Sequence, residues 1–202
     1  MSVTGGSSAD GYRIEGNSTE VADNIVFRGT TASGNARAGY LISGTSPEAT
    51  NVVYDRTISQ NNTGTNGDGY NVTGSTSATV KFLDAIASGN SQAGFVSAVS
   101  ARFENVYSSG NSAEGIKLSL RSSLTHSTVT LLNTTVKGNA DPQVSQTAPG
   151  IDLKAYNSLM TASSKRQMSY SKKYPAYPTP GNGAFVDWKR DVTNGSNASG
   201  YV

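Results

Sequence analysis

Residues 80–97 read Val80-Lys81-Phe82-Leu83-Asp84-Ala85-Ile86-Ala87-Ser88-Gly89-Asn90-Ser91-Gln92-Ala93-Gly94-Phe95-Val96-Ser97, and the segment from Ala101 to Leu118 repeats the plan. Val80 aligns with Ala101, Phe82 with Phe103, Gly89-Asn90 with Gly110-Asn111, and Gly94-Phe95 with Gly115-Ile116. The register extends outward in both directions. Ile25, Val52, Val80, Ala101 and Val129 are first positions; two residues later stand Phe27, Tyr54, Phe82, Phe103 and Leu131. Ten residues after each start stands an asparagine: Asn35, Asn62, Asn90, Asn111 and Asn139. Four of these follow Gly (Gly34, Gly89, Gly110, Gly138) and one follows Asn61. A glycine then opens a second apolar alternation at Gly39-Tyr40, Gly69-Tyr70, Gly94-Phe95, Gly115-Ile116 and Gly150-Ile151.

Repeats of this length select an architecture before any single element is assigned. The shortest start-to-start interval is 21 residues, which leaves no room for a ten-residue helix beside two or three short β segments. Gly and Asn turns punctuate each unit. Stacked coils bring like residues above one another about 4.8 Å apart. Tyr12, Tyr40, Tyr70 and Phe95 then form one inward ladder, and Phe27, Tyr54, Phe82 and Phe103 a second. The five asparagines form a third, bonded amide to amide as identical polar side chains are in stacked β structure.

Composition agrees. Val, Ile, Leu and Phe number 37 of 202 residues, a level at which disorder is a fair suspicion. The high net charge that completes that signature is missing, since charged residues are 15% and the formal net charge is +2. A chain this polar builds a thin, regularly stacked core, not a thick helical one. With no Cys, disulfides and Cys-ligated metals are excluded, and a single His (His126, read as an exposed loop residue) makes a His-rich metal site impossible. No apolar run approaches the roughly 20 residues of a membrane span, and the first residues lack a secretory pattern. The first 155 residues hold 10 basic and 12 acidic side chains without a basic stripe, so neither nucleic acid nor membrane insertion is expected.

The motif V-x-F…S-G-N-x-x-x-G-[YFI], over roughly residues 10–155, resembles the right-handed parallel β-helix proteins of the pectate-lyase-like superfamily. The resemblance implies an all-β, right-handed parallel β-helix of five to six coils. That superfamily includes polysaccharide lyases and hydrolases, epimerases, adhesins and bacteriophage tailspikes. Its lyases often use Ca²⁺ held by several Asp residues; no such cluster is found, so no catalytic or metal residue is carried over and no cofactor is expected.

Three regions follow. Residues 1–23 read as an incomplete first coil, 24–155 as the β-helix repeats, and 156–202 as an aromatic, basic C-terminal cap or assembly arm, with a linker also open. The last region holds 7 of the 16 aromatics, including Trp188, with 6 basic and 2 acidic residues. The β pattern starts in mid-repeat, which reads as a cut through a longer β-helix or as a docking surface.

Glycosidases need paired carboxylates, held roughly 6.5–9.5 Å apart where the reaction inverts. Outward positions of the Gly-opened strand are read as Arg13, Leu41, Asn71, Val96, Lys117 and Asp152, followed by Glu15, Ser43, Thr73, Ala98, Ser119 and Lys154. These rows are not acidic, and Leu41 and Val96 are expected to stand exposed on a single chain. Just before the turn glycine stand Asp10, Ala38, Asp68, Ala93, Glu114 and Pro149. Asp68 and Glu114, two coils apart and so roughly 9–10 Å along the axis, are the best candidate catalytic pair. The commoner use of such residues is a local turn hydrogen bond. Asp55, Arg56, Asp84, Arg102 and Glu104 read as solvated charges around the other strand.

The functional expectation is a phage tailspike or tail-fibre structural protein that binds bacterial surface polysaccharide for host attachment. It would act in the virion as a homotrimer, joined to other tail proteins, with outward Leu41 and Val96 covered by a neighbouring subunit. The alternative is a polysaccharide lyase or glycoside hydrolase, or a fragment of one, with extracellular or cell-surface placement; the absence of a clear acidic site weighs against an enzyme. An adhesin is a third reading.

Overall fold

A computed structural model describes residues 2–4, 9–14, 22–43, 50–73, 79–121, 123–140, 143–148, 150–161, 168–169 and 185–189. Among them every regular element is a strand. The strands fall into three parallel stacks, one strand per stack per turn of chain. The first stack runs through Val26–Arg28, Val53–Asp55, Val80–Leu83, Ala101–Glu104 and Ser127–Leu132. The second runs through Ser2–Thr4, Thr31–Ser33, Ile58–Gln60, Ile86–Ser88, Tyr107–Ser109 and Thr135–Lys137. The third runs through Tyr12–Ile14, Tyr40–Ile42, Tyr70–Val72, Phe95–Ser97, Ile116–Leu118, Val144–Gln146 and Met168–Ser169. The chain is a parallel β-helix. The strand Ile151–Thr161 closes one end. Its first half pairs with Ser127–Leu132, its second with Thr135–Lys137, and Phe185–Lys189 lies antiparallel to it.

The aligned residues do stack. Phe27 pairs in register with Tyr54, Tyr54 with Phe82, and Phe82 with Phe103. Their rings are parallel at 4.7–5.1 Å between centroids. Tyr12, Tyr40, Tyr70 and Phe95 stack likewise at 4.7–4.9 Å. Rings of one ladder meet those of the other edge-on at 5.2–5.6 Å, as between Tyr54 and Tyr70 at 5.3 Å. Both offset-parallel and edge-on geometries are favourable for aromatic quadrupoles.

At the corner between the second and third stacks, Asn35, Asn62, Asn90, Asn111 and Asn139 are all buried. Each Nδ2 donates to the Oδ1 of the next asparagine, at 2.8, 2.8, 2.9 and 2.7 Å. The last amide, Asn139 Nδ2, donates to Gln143 Oε1 at 2.8 Å. Backbone N–H groups of the same residues donate to the same oxygens, as Asn90 does to Asn111 at 3.0 Å. Preceding each Asn is a residue with positive φ, at Gly34, Asn61, Gly89, Gly110 and Gly138. Asn61 replaces Gly because Asn is the side chain that best tolerates the left-handed region.

The glycine that opens the third stack serves a different purpose. A Cβ on Gly94 would lie 2.4 Å from Ser108 Oγ and 2.6 Å from the Gly115 carbonyl oxygen, so the slot excludes any side chain. In the next coil Gln143 occupies the equivalent place: the Ile116 N–H donates to the Gln143 carbonyl at 2.9 Å. This corrects the sequence reading. Gly150, Ile151, Asp152 and Leu153 do not continue the third stack. Ile151 and Leu153 pair with Ser127 and Val129 in the first, and the third-stack row continues from Lys117 to Ser145 and Ser169, not to Asp152. Lys154 leaves its assigned row for the same reason, pairing with Thr130 in the first stack, and Pro149 lies outside the described residues. Asn139 to Gln143 keeps the four-residue Asn-to-slot spacing of Asn35–Gly39, Asn90–Gly94 and Asn111–Gly115. The glycine itself was the misleading signal.

A second correction concerns Leu41 and Val96. They are 7% and 6% exposed, buried already within one chain, and are not a free apolar stripe. His126 is exposed, as read. Glu15 and most of residues 156–202, including the Trp188 side chain, lie outside the described residues.

Candidate functional site

The third stack carries an open groove of about 330 Å³ on its outer side. Its origin is local. Four residues separate Asn from the slot residue in the coils at 35, 90, 111 and 139, but seven separate Asn62 from Gly69. The three additional residues bulge outward through a turn in which Gly67 N–H donates to the Gly64 carbonyl and Gly64 has φ +91°. The next coil holds the bulge in place: Ser91 Oγ donates to the Gly64 carbonyl at 2.7 Å and Gln92 N–H to that of Gly67 at 3.2 Å. Thr65 and Asn66 thereby form one wall, Gln92 and Ala93 the adjoining surface, and Asn71, Val96 and Lys117 an in-register row along the bed.

Asp68 and Glu114, the sequence-derived pair, both line this groove. They belong to coils separated by one intervening turn: the Gly69 N–H donates to the Ala93 carbonyl and the Gly94 N–H to the Glu114 carbonyl, each at 2.9 Å. Ala93 stands between them, and its short side chain leaves the gap open. Asp68 is 9% exposed. Its Oδ1 accepts from the Ala93 N–H at 3.1 Å and its Oδ2 from Asn71 Nδ2 at 2.7 Å. Burial raises its pKa above the usual aspartate value; the Asn71 and Ala93 bonds and the Lys117 charge oppose that rise, and Glu114 adds to it. Glu114 Oε1 accepts from Ser145 Oγ at 3.2 Å and lies 3.7 Å from Lys117 Nζ. Thr73 Oγ1 donates to Asn71 Oδ1 at 2.9 Å, which fixes the Asn71 amide with its nitrogen toward Asp68.

Asp10 shows what such a carboxylate does structurally. Its Oδ1 accepts from the Ala38 N–H at 3.1 Å, the same bond that Asp68 makes to Ala93. The turn-bracing role expected for these acids is therefore present at Asp68 as well. What sets Asp68 apart is its place beside the bulge, with a second carboxylate and an ammonium in the same groove.

The other charged group does not converge. Asp55 is held by Arg28 and Arg56, with Nε–O distances of 2.6 and 3.2 Å, and Arg102 is held by Glu104 Oε2 at 2.8 Å from NH2. These guanidiniums, Arg56 first, hold the Asp55 carboxyl below its usual value. Asp84 accepts from Asn105 Nδ2 at 3.0 Å. Among the described residues no three His, Cys, Asp or Glu side chains gather as metal ligands would.

Sequence reading missed the wall residues Thr65, Asn66 and Gln92. The signal for them was the longer Asn62-to-Gly69 spacing.

No family model matches the chain, and no curated protein matches it. Among solved structures it is similar to the mannuronan C-5 epimerase AlgE4 A-module of Azotobacter vinelandii, at 14% identity and a TM-score of 0.49. The alignment covers 74% of this chain and 52% of that one, so the chain spans about half of that module's length.

Proposed function

We propose that this β-helix is a structural protein that binds bacterial surface polysaccharide in the groove beside Asp68, as part of a phage tailspike or tail fibre engaged in host attachment. The carrying observation is the groove's composition. Amides from Asn66, Asn71 and Gln92, hydroxyls from Thr65, Thr73 and Ser119, and two carboxylates surround an apolar bed at Val96. Carbohydrate sites of this kind place a few polar groups around an apolar surface. Assembly as a homotrimer with other tail proteins, and placement in the virion, belong to the same reading, with an extracellular or cell-surface setting as the alternative. The supporting feature for assembly is the segment 156–202, which holds five Tyr and the one Trp of the chain, residue types that anchor interfaces.

A second reading, hydrolysis or β-elimination of the bound glycan, draws on the Asp68 carboxyl. Its raised pKa suits a general acid. Against it, both Asp68 oxygens already hold donors, and two strand spacings put it about 9.6 Å from Glu114 along the axis, at the far edge of the inverting range.

Incubation of the chain with purified capsular or O-antigen polysaccharide tests both. Retention of the glycan without new reducing ends or unsaturated uronates is the expected result. Cleavage products that disappear with Asp68→Asn would replace the binding reading with the enzymatic one.

A further inference from the structure

The groove carries an unbalanced charge. Among the described residues three charged side chains line it: Asp68, Glu114 and Lys117. Lys117 Nζ is 3.7 Å from Glu114 Oε1, so the one ammonium faces its own acid. Asp68 is different. Its oxygens take two neutral donors, the Ala93 N–H and the Asn71 amide, and among the described residues no cation lies within ion-pair distance of it. Ionised, it leaves the groove with one negative charge in excess. Two further cations, Arg13 and Arg37, lie 3.6 and 3.8 Å from Asp10. Arg13 stands two strand positions before Asn71, about 9.6 Å along the axis.

A carboxylate or sulfate laid over Val96 would meet Asp68 as a like charge in a partly dehydrated setting, where repulsion is stronger than in bulk water. Hydroxyl, acetamido and ammonium groups would instead find acceptors in Asp68 and Glu114, and amides at Asn66 and Gln92. We infer that the groove selects uncharged or amino-bearing sugars and discriminates against uronates and sulfated sugars. The inference rests on the groove being a glycan site.

The test is an array of neutral, amino-bearing and uronate-bearing bacterial polysaccharides, probed with the intact chain and with Asp68→Asn and Glu114→Gln. Asp68→Asn removes the excess charge; Glu114→Gln releases Lys117. The wild type should retain neutral or amino-bearing glycans at least about fivefold better than uronates. Each variant, with an unchanged circular dichroism spectrum, should gain uronate retention by a similar factor. Because the two side chains sit two coils apart and both act through charge, a gain in both is not what a packing defect produces. Equal retention of uronate and neutral glycans by the wild type would overturn the inference while leaving the glycan site standing. Retention of no class at all would overturn the glycan site and the inference together.

Discussion

At the scale of single residues, the interior mixes satisfied polar groups with a few that are not. Asn90 accepts from both the amide and the backbone N–H of Asn62, and donates to Asn111. Truncating it strands buried donors on one side and an acceptor on the other, at a cost of about 1–3 kcal/mol. Asn90→Ala and Asn111→Ala should therefore lower the denaturant midpoint clearly more than Asn71→Ala, whose side chain is only half-buried; equal losses would reject a stabilising ladder. Tyr54 gives the opposite case. Its hydroxyl is buried with no hydrogen-bond partner among the described residues, whereas the Tyr70 hydroxyl donates to Thr57 Oγ1 at 2.9 Å. Tyr54→Phe should raise the unfolding free energy by about 1 kcal/mol, and Tyr70→Phe should lower it by about as much, because Thr57 is left unpaired in the core. Asp68 adds a pH dependence. A carboxyl whose folded pKa exceeds its unfolded value near 3.8 stabilises only where it is protonated. That contribution is complete below the unfolded value and is lost as pH rises through the folded one. The stability of Asp68→Asn relative to wild type should accordingly increase from about pH 4 upward and then level off. A difference in calorimetric stability that shrinks with rising pH would contradict the burial of an ionised Asp68.

At the scale of the coil, two glycines in each repeat do unrelated jobs, and substitutions separate them. Gly110 has φ +62° with nothing but the Gly89 nitrogen, 3.9 Å away, near its missing Cβ. Gly110→Asn should be tolerated, as Asn61 is at the same corner, and Gly110→Ala should cost about 1 kcal/mol. Gly94→Ala collides with a backbone carbonyl at 2.6 Å and should cost distinctly more in thermal melts. The ladders were legible in the sequence because each depends on identity at a fixed spacing: aromatic two residues after the start, Asn ten residues after. The last coil was not, because the repeat there keeps its spacing and changes its residue. Gln143 can fill a glycine slot by turning its amide onto Asn139, a substitution that only the three-dimensional position explains. The candidate carboxylates were legible as turn neighbours, but the groove was not. Its wall comes from a three-residue bulge, and a bulge is recognised by what the adjacent coil holds in place. Leu41 and Val96 were misread because alternation states which side of a strand a residue faces, not whether neighbours such as Asn71 and Lys117 flank it there.

For the molecule as a whole, the closed end and the assembly state are linked. The strand Ile151–Thr161 runs past Ala155 and bonds to two stacks at once, and Phe185–Lys189 occupies its free side. An end strand partnered in this way presents less open edge to other chains. With Leu41 and Val96 buried in one chain, the proposed homotrimer needs another interface, and we propose the aromatic segment 156–202 for it. Light scattering on the full chain should give three times the single-chain mass; a single-chain mass would reject the homotrimer. The asparagine ladder, finally, makes the two ends of the rod physically different. All of its amides point the same way, from Asn35 toward Gln143, and Asn35 Oδ1 at the head of the series is buried without a donor among the described residues. Backbone bonds between strands largely cancel in sheets, but five parallel amides sum. The β-helix therefore carries an axial dipole with its negative pole at the Asn35 end. Charged or polar groups placed along the axis therefore meet opposite signs of the ladder's field on its Asn35 and Gln143 sides.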